Sequence, residues 1–342
     1  MKKALLRTAL VLVAVLATLA FLEIVLRFAM PLRFRPSADA PLFASRTYQL
    51  SADKTLVYEM RPNSQATAFG LEFAVNPSGF RDKIYPRLKA GKKRIVCVGD
   101  SLTYGWLVPL RATYHKQLEA LWRSEGRAVE VMGMGVVGYN LVQEFALIRD
   151  RIAIRKPDLV LLQIGPNDCE RTVGIKTVPE TGKLILIPYH DRIIPYMTDK
   201  TAFTTGLMRR SHLFRLLNLG LFGLRGKGHP DYVPRDVFMI GEEDSFAHLA
   251  KIKRFLDGEG IPLAVVVFPF RSRGTAYLYA SLTGRIRQEL ERLRIPYLDL
   301  FDRLNAEKAG EIWIDGLHLN GEGYGIVAAE LKTFLGGRLG NK

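Results

Sequence analysis

Five short apolar runs alternate with helical patterns over residues 93–335, and this alternation restricts the fold more than any other feature of the chain. The runs are Arg94–Val98, Val129–Met132, Leu159–Ile164, Leu263–Phe268 and Pro296–Leu300. Continuous apolar strands joined by helices are typical of a parallel sheet that helices cover on both faces. Such sheets bind ligands at the carboxyl ends of their strands, so we expect functional residues in the loops that follow the runs.

The third and fourth runs are too far apart in the chain for a simple crossover. Residues 165–262 lie between them, whereas a crossover helix needs far fewer. We therefore predict an insertion at about 171–241 that covers the strand ends as a cap. Its leucine-rich stretch, Leu213–Leu224, is flanked by arginines and has two interpretations. We favour a helix packed on the body, and the alternative is an acyl-chain or membrane-surface contact.

The N-terminus carries a membrane signal. From Ala4 to Leu22 there are 19 residues, of which only Arg7 is charged. As a helix this run spans about 28 Å, close to the thickness of the hydrocarbon layer. It lacks the polar stripe of an amphipathic core helix. A cleaved signal peptide is the alternative, but we favour an uncleaved anchor because apolar residues continue past the poor cleavage site at Thr18–Ala20.

The charges beside the apolar run do not fix its orientation. Three basic residues lie on each side, namely Lys2, Lys3 and Arg7 before it and Arg27, Arg33 and Arg35 after it. The positive-inside rule therefore gives a tie. A short basic segment before an apolar run resembles an export signal, so we place the body in the periplasm or outside the cell, on a single-pass anchor. The predicted organisation is an anchor or signal segment at 1–30, a lead-in segment at 31–92 and the main domain at 93–342.

The net charge of the chain indicates which classes of binding partner it suits. The chain has 49 Lys and Arg against 34 Asp and Glu, and a net charge of +15 suits phospholipid headgroups, acidic glycans or nucleic acid. The basic residues are dispersed without recognition-helix or finger spacing, so we expect no nucleic-acid partner.

Two cysteines exclude a disulfide-rich scaffold and a four-thiolate zinc site. We expect Cys97 to be a core thiol and Cys169 a loop residue; a disulfide between them, or a Cys169 nucleophile, is the less favoured alternative.

Four loops carry groups suited to ester hydrolysis. Ser101 follows the first apolar run directly, where a serine is exposed at the strand end as a nucleophile. Asp315 precedes His318 by three residues, so it can hold the imidazole while the other ring nitrogen takes the serine proton. Asn167 and the backbone N–H of Gly138 are suitable oxyanion donors. Taken singly, each of these signals is also met by ordinary turn and helix-cap residues.

The order of these loops resembles the sequence blocks of the SGNH (GDSL) hydrolase family over about residues 93–335. The matching segments are Gly99-Asp100-Ser101-Leu102-Thr103, Gly138 within Gly133–Tyr139, Gly165-Pro166-Asn167-Asp168 and Asp315-Gly316-Leu317-His318. The resemblance implies a flavodoxin-like three-layer α/β sandwich with a parallel sheet of order 2-1-3-4-5, without metal or cofactor. It implies Ser101 as nucleophile, His318 as base and Asp315 as the partner of the base. The N–H groups of Ser101 and Gly138 and the Asn167 side chain would form the oxyanion hole.

Two segments differ from the minimal family pattern. Many members have Asn at the start of the second block, where this chain has Gly133. The insertion at 171–241 is not part of the minimal fold, so the family does not supply a substrate. In the lead-in, Asn76–Asp82 looks like the segment before the first block in membrane-anchored bacterial members, which are often linked to acylated surface polysaccharides.

The glycines of the second block also match a different motif. Gly133, Gly135 and Gly138 have the spacing of the dinucleotide-binding fingerprint, after a strand and before a helix, which would predict a nicotinamide or flavin site. That fingerprint normally follows the first strand of its domain, whereas a complete strand–helix unit precedes it here. The acid expected about 20 residues later is also poorly placed, with Asp150 in a helix and Asp158 at a strand start. We therefore favour the serine site.

The sequence thus predicts a serine esterase that acts on an O-acyl ester, acetyl or short acyl, of a glycan or lipid outside the cytoplasm. The N-terminal helix would hold it in the membrane. One alternative is an O-acyltransferase that uses the same triad on a surface polysaccharide. Another is a non-catalytic glycan-binding or assembly module. The sequence indicates no oligomeric state.

Overall fold

The architecture is given by a computed structural model of the chain. It describes residues 2–29, 46–53, 55–56, 58–68, 70–87, 89, 91–152, 155–166, 168, 174–178, 183–187, 211, 213, 242–271, 277–278, 280–305, 311–314 and 317–338. The strands are β1 Tyr48–Leu50, β2 Tyr58–Met60, β3 Gln65–Ala68, β4 Leu71–Ala74, β5 Lys93–Gly99, β6 Val129–Gly135, β7 Leu159–Ile164, β8 Gly174–Val178, β9 Lys183–Ile187, β10 Leu263–Val267, β11 Phe270–Arg271, β12 Tyr277–Leu278 and β13 Tyr297–Asp299. The helices are α1 Lys2–Ala29, α2 Ser101–Tyr104, α3 Tyr114–Ser124, α4 Leu141–Arg151, α5 Glu242–Gly258, α6 Ala280–Arg292, α7 Phe301–Asn305 and α8 Gly321–Gly336.

Five strands form the central sheet, and they correspond to the five apolar runs of the sequence. They lie in the order β6-β5-β7-β10-β13, which is 2-1-3-4-5 when these five are numbered along the chain. Each neighbouring pair is parallel. The predicted parallel five-stranded sheet is confirmed, and the carboxyl ends of its strands share one edge.

Helices cover both faces of this sheet because its strands are apolar on both sides. Along β5, Val96 and Val98 belong to one buried cluster and Ile95 and Cys97 to the other. The first cluster includes side chains of α4, α5 and α6, and the second includes side chains of α3, α7 and α8. The molecule is therefore a three-layer α/β sandwich, as predicted. Burial raises the pKa of the Cys97 thiol to about 12, so this cysteine is an inert core residue.

The described part of the lead-in segment contains two antiparallel hairpins that pack on the sandwich. Strands β1 and β2 pair, as do β3 and β4. By sequence alone, the loose alternation of apolar and polar residues over Thr67–Val75 predicts a single strand. The chain instead turns at Gly70, whose φ of +75° favours glycine, and a hairpin results. Side chains from both hairpins, including Tyr58 and Phe73, lie in the same buried cluster as Val96.

The lead-in also protects the exposed edge of β6. An edge strand presents unpaired N–H and C=O groups that can pair with other chains. Here Val131 O accepts hydrogen bonds from Tyr85 Oη and Lys116 Nζ, at 2.8 and 2.7 Å. Gly133 N donates to Asp82 Oδ2 at 2.7 Å. Val131 N also donates to Glu119 Oε2 of α3 at 3.2 Å, so side chains of the lead-in and of α3 together satisfy the β6 backbone.

Helix α1 is exposed along its apolar length. The segment Leu6–Leu26 is long and apolar enough to cross a membrane, and a signal sequence would meet the same criteria. Glu23, near its end, accepts hydrogen bonds from Ser211 Oγ and Leu213 N at 2.8 and 2.9 Å. Helix α1 and the predicted insertion therefore touch at this point.

Only a small part of the predicted insertion at 171–241 is described. Strands β8 and β9 form an antiparallel hairpin within it. Apart from Leu213, the leucine-rich stretch Leu213–Leu224 lies outside the described residues. The cap therefore stays a prediction.

A buried ion pair links strands β5 and β6, and its arginine also reaches the lead-in. Arg94 in β5 is 1% exposed, and its Nε and Nη2 donate to Glu130 Oε2 at 3.0 and 2.8 Å. The same guanidinium donates to Pro86 O of the lead-in and to Arg155 O before β7, at 2.7 and 2.8 Å. The buried Arg94 charge thus holds three segments together. Its burial is compensated by the Glu130 carboxylate, so the stability of the fold depends on that group.

Replacing Glu130 tests this dependence. We expect Glu130→Gln to lower the free energy of unfolding by about 3–5 kcal/mol, because it leaves the buried Arg94 charge without its carboxylate. The matched control is Glu330→Gln, which breaks an exposed pair with Arg303, at 3.1 Å, and should cost less than about 1 kcal/mol. Urea unfolding of the full-length chain in detergent measures both changes. Equal losses in the two variants would contradict the prediction.

Candidate active site

Ser101 begins a one-turn helix at the carboxyl end of the first strand of the sheet. Strand β5 ends at Gly99, and Asp100 caps α2 by accepting a hydrogen bond from Leu102 N at 2.9 Å. The backbone N–H of Ser101 lies in the first turn, where a helix offers no internal acceptor. This N–H therefore has no acceptor within its own helix.

His318 lies in a tight loop just before α8. An isolated antiparallel bridge between Trp313 and Leu319 closes the loop, and Ile314 N donates to His318 O at 2.9 Å. Asn320 then caps α8, its side-chain oxygen accepting from Gly323 N at 2.9 Å. Backbone pairing thus fixes the imidazole at the end of the molecule where β5 ends.

The fold brings Ser101 and His318 together across 217 residues of chain. Ser101 Oγ lies 2.9 Å from His318 Nε2, and both residues are buried, at 6% and 8% exposure. A second contact of the hydroxyl, to Asp100 Oδ2, is longer at 3.5 Å. Hydrogen-bond distance between a serine hydroxyl and an imidazole nitrogen is the arrangement that general-base activation of serine needs.

The other predicted site residues are placed only in part. Gly138 lies after β6 with φ of +80°, a left-handed conformation that favours glycine. Asn167 and Asp315 lie outside the described residues, as does Cys169. Their roles stay predictions.

Gln163 is a site residue that the sequence analysis missed. It is fully buried in β7, and its Oε1 accepts from Asp100 N and from Thr103 Oγ1, each at 3.1 Å. Its Nε2 lies 3.4 Å from Asp168 Oδ2. The amide of Gln163 therefore links α2 to the loop after β7. The sequence does carry one sign of this role, because Gln163 is the single polar residue within an otherwise apolar strand.

The glycines of the second block are required by packing. A Cβ at Gly133 would lie 2.5 Å from His115 Nε2, and a Cβ at Gly135 would lie 2.6 Å from the carbonyl carbon of Thr103. The space that a side chain would need at these two glycines is therefore filled by the protein's own atoms. This explains the fingerprint-like spacing without a dinucleotide. The imidazole of His115 also occupies the space beside Gly133, where many family members have Asn.

Buried carboxyl groups lie near the start of α2. Glu144 in α4 is fully buried, and within the described part of the chain neither of its carboxyl oxygens has a hydrogen-bond partner. Burial, and then the nearby Asp100, raise the pKa of Glu144 well above its usual value. The pKa of Asp168 is raised by burial, by Asp100 and by Glu144. Among the described residues, no group of three or more His, Cys, Asp or Glu side chains is placed so that it could hold a metal ion.

Comparison with known proteins gives one family. The model of the GDSL-like lipase/acylhydrolase family matches residues 97–326, a span that contains both Ser101 and His318. A comparison with curated proteins finds no match.

Solved structures with a similar chain course include several acylhydrolases. A lipase/acylhydrolase from Enterococcus faecalis is 15% identical, with a TM-score of 0.46, and the match covers 73% of this chain and 98% of that one. The esterase EstA from Pseudoalteromonas sp. is 13% identical, with a TM-score of 0.45 and coverage of 73% and 100%. A putative acylhydrolase from Bacteroides fragilis is 16% identical, with a TM-score of 0.42 and coverage of 75% and 92%. The assignment to a family therefore rests on the match of the family model to residues 97–326.

Adding a methyl group at Gly135 tests the close packing of α2 on β6. Because the new Cβ would overlap backbone atoms of α2, we expect Gly135→Ala to destabilise the fold by about 1–3 kcal/mol and to lower any activity of Ser101. The control is Gly284→Ala in α6, where a Cβ meets nothing within 4 Å and should stabilise the helix by about 0.5–1 kcal/mol. Urea unfolding and ester turnover are measured on both. A Gly135→Ala protein as stable and active as wild type would show that α2 can move.

The raised pKa of Glu144 predicts a pH dependence of stability. In the unfolded chain this carboxyl loses its proton at its usual pKa, while in the folded protein it stays protonated to higher pH. Folding therefore becomes less favourable as the pH rises through the usual carboxyl range, by at most about 1.4 kcal/mol per pH unit for one proton. Glu144→Gln removes this effect, so its stability relative to wild type should increase from pH 4 to pH 8 in urea unfolding. A difference independent of pH would contradict the prediction.

Proposed function

The chain belongs to the GDSL-like lipase/acylhydrolase family, and we propose that it hydrolyses O-acyl esters with Ser101 as nucleophile and His318 as general base. The observation that carries the proposal is the 2.9 Å distance between Ser101 Oγ and His318 Nε2 in a buried position. Ester hydrolysis is the activity of the family, and the residues that perform it here are the proposal.

The proposed reaction has two steps. Ser101 Oγ attacks the ester carbonyl carbon while His318 Nε2 takes the hydroxyl proton, and the imidazolium then gives this proton to the leaving alcohol. An acyl-serine remains. Water attacks it with His318 again as base, which releases the acid and restores the serine.

Three groups would stabilise the oxyanion of each tetrahedral intermediate. They are the N–H of Ser101, the N–H of Gly138 and the side chain of Asn167, and each such donor is typically worth about 2.7–4 kcal/mol in the transition state. Asp315 would hold the other ring nitrogen of His318 and thereby fix the tautomer. The position of Ser101 at the start of α2 and the left-handed turn at Gly138 support the two backbone donors.

The proposed substrate is an acetyl or short acyl ester on a glycan or lipid outside the cytoplasm. Helix α1, with its exposed apolar segment Leu6–Leu26, supports an enzyme held at a membrane. A net charge of +15 supports an anionic surface as its surroundings.

Active-site labelling tests the proposal. The full-length protein in detergent is treated with a fluorophosphonate, and the adduct is located by peptide mass spectrometry. We expect the adduct on Ser101 and its loss in His318→Ala, because the serine is unreactive without its base. The matched control is His248→Ala in α5, which changes a histidine packed against Phe145 and should be labelled like wild type.

Three results would contradict the proposal. They are an adduct on a residue other than Ser101, an unaltered rate in His318→Ala, and no adduct on folded wild-type protein. The last result would favour a binding or assembly module that keeps the fold.

A further inference from the structure

Arg81 of the lead-in reaches the carbonyl end of α2. Its side chain is 3% exposed, and its guanidinium donates hydrogen bonds to three backbone carbonyls. Nη1 donates to the oxygens of Tyr104 and Gly105 at 3.1 and 2.7 Å, and Nη2 donates to Val108 O at 2.8 Å. A guanidinium is suited to this because its N–H groups point in fixed directions. All three acceptors belong to the loop that begins at Ser101.

The surroundings of Arg81 make its charge expensive to bury. Among the described residues it has no carboxylate partner, and its guanidinium lies over the rings of Phe73 and Tyr104, 4.5 and 5.0 Å from their centroids. Burial accordingly lowers the pKa of Arg81. An apolar side chain of similar length would fill the same space without this cost. Such an apolar side chain has no N–H groups, so it could not hold the three carbonyls in place.

The loop from Ser101 to Val108 is one hydrogen-bonded unit. Ser101 O accepts from Gly105 N and from Trp106 N, each at 3.0 Å, and Val108 N donates to Gly105 O at 3.3 Å. Gly105, with φ of +76°, turns the chain at the end of α2. Two of the carbonyls that Arg81 holds, those of Tyr104 and Gly105, lie about one helical turn, or about 5.4 Å, from Ser101. A shift of these carbonyls is therefore passed to the serine.

The next residue in the chain fastens Arg81 to a second part of the site. Asp82 Oδ2 accepts from Gly133 N at 2.7 Å, and its Oδ1 pairs with Lys116 Nζ at 2.7 Å. Gly133 lies in β6, the strand that leads to the loop of Gly138. The dipeptide thus ties the nucleophile loop to the strand that precedes the glycine loop.

We propose that Arg81 is a positioning residue for the nucleophile, setting the place of α2 so that Ser101 Oγ meets His318 Nε2 at hydrogen-bond distance. The inference rests on the proposed function, because it takes Ser101 as the nucleophile. It concerns a residue outside the span 97–326 that the family model matches. Arg81 touches no reacting atom and acts through the loop that it holds.

The test compares Arg81→Met and Arg81→Lys with two controls in the full-length protein. Arg61→Met removes another lead-in arginine, one that donates to Tyr48 O rather than to the nucleophile loop. Leu331→Ala opens a cavity in the core on α8 itself, ten residues or about 15 Å along the helix from its start beside His318, and lowers stability there. For each protein we measure kcat and KM with p-nitrophenyl acetate, the rate of fluorophosphonate labelling at Ser101, and the urea midpoint.

We expect Arg81→Met to lower kcat and the labelling rate by about 100-fold, because a misplacement of about 1 Å costs that much. KM should change by less than about two-fold, since the loop carbonyls bind no substrate. Arg81→Lys keeps one charged donor and should recover part of the loss. Leu331→Ala should lower the urea midpoint with kcat near wild type, and Arg61→Met should change neither.

The outcomes separate this inference from the proposed function. Unlabelled wild-type protein would overturn both. Labelling of wild-type Ser101 with an equal kcat and labelling rate in folded Arg81→Met would overturn the positioning role alone. A loss of kcat in Leu331→Ala as large as that in Arg81→Met would also overturn it, because the effect would then follow stability.

Discussion

The place of Ser101 depends on α2, a helix of a single turn that is too short to be stable by its own hydrogen bonds. Contacts from outside must therefore hold it. Gly135 lets α2 lie directly on β6, the amide of Gln163 binds its first turn from β7, and the guanidinium of Arg81 binds its last carbonyls. Each of these contacts comes from a different segment of the chain, so the site forms only when the whole sandwich has formed.

The same turn explains why so many polar groups are buried around the site. A nucleophile at a strand end needs donors and acceptors on several sides, and each must be paired because water is excluded. Gln163 and Arg81 are paired in this way. Glu144 is different, because both of its carboxyl oxygens lack a hydrogen-bond partner within the described residues. Burial accordingly raises the pKa of its carboxyl, since a neutral acid costs less to bury than a carboxylate.

The sheet and the two site residues that meet were predictable because their signals are local. Each apolar run is a strand, and Ser101 and His318 stand directly beside the elements that present them, β5 and α8. The hairpin at Gly70 was missed because one glycine in a loosely alternating stretch reads equally well as part of a strand. Gln163 and Glu144 were missed for another reason: their roles depend on neighbours brought together by the fold, and local sequence shows only a polar residue in an apolar setting.

Arg81 shows the limit of motif reasoning most clearly. The segment Asn76–Asp82 could be matched to a family pattern, but nothing in its spacing tells which atoms its arginine binds. Its three acceptors are backbone carbonyls, which every residue carries, so no residue type at Tyr104, Gly105 or Val108 marks the contact. Through Arg81 the lead-in therefore contacts the site only at backbone atoms. For this reason a segment outside the matched span 97–326 can hold the helix on which Ser101 lies.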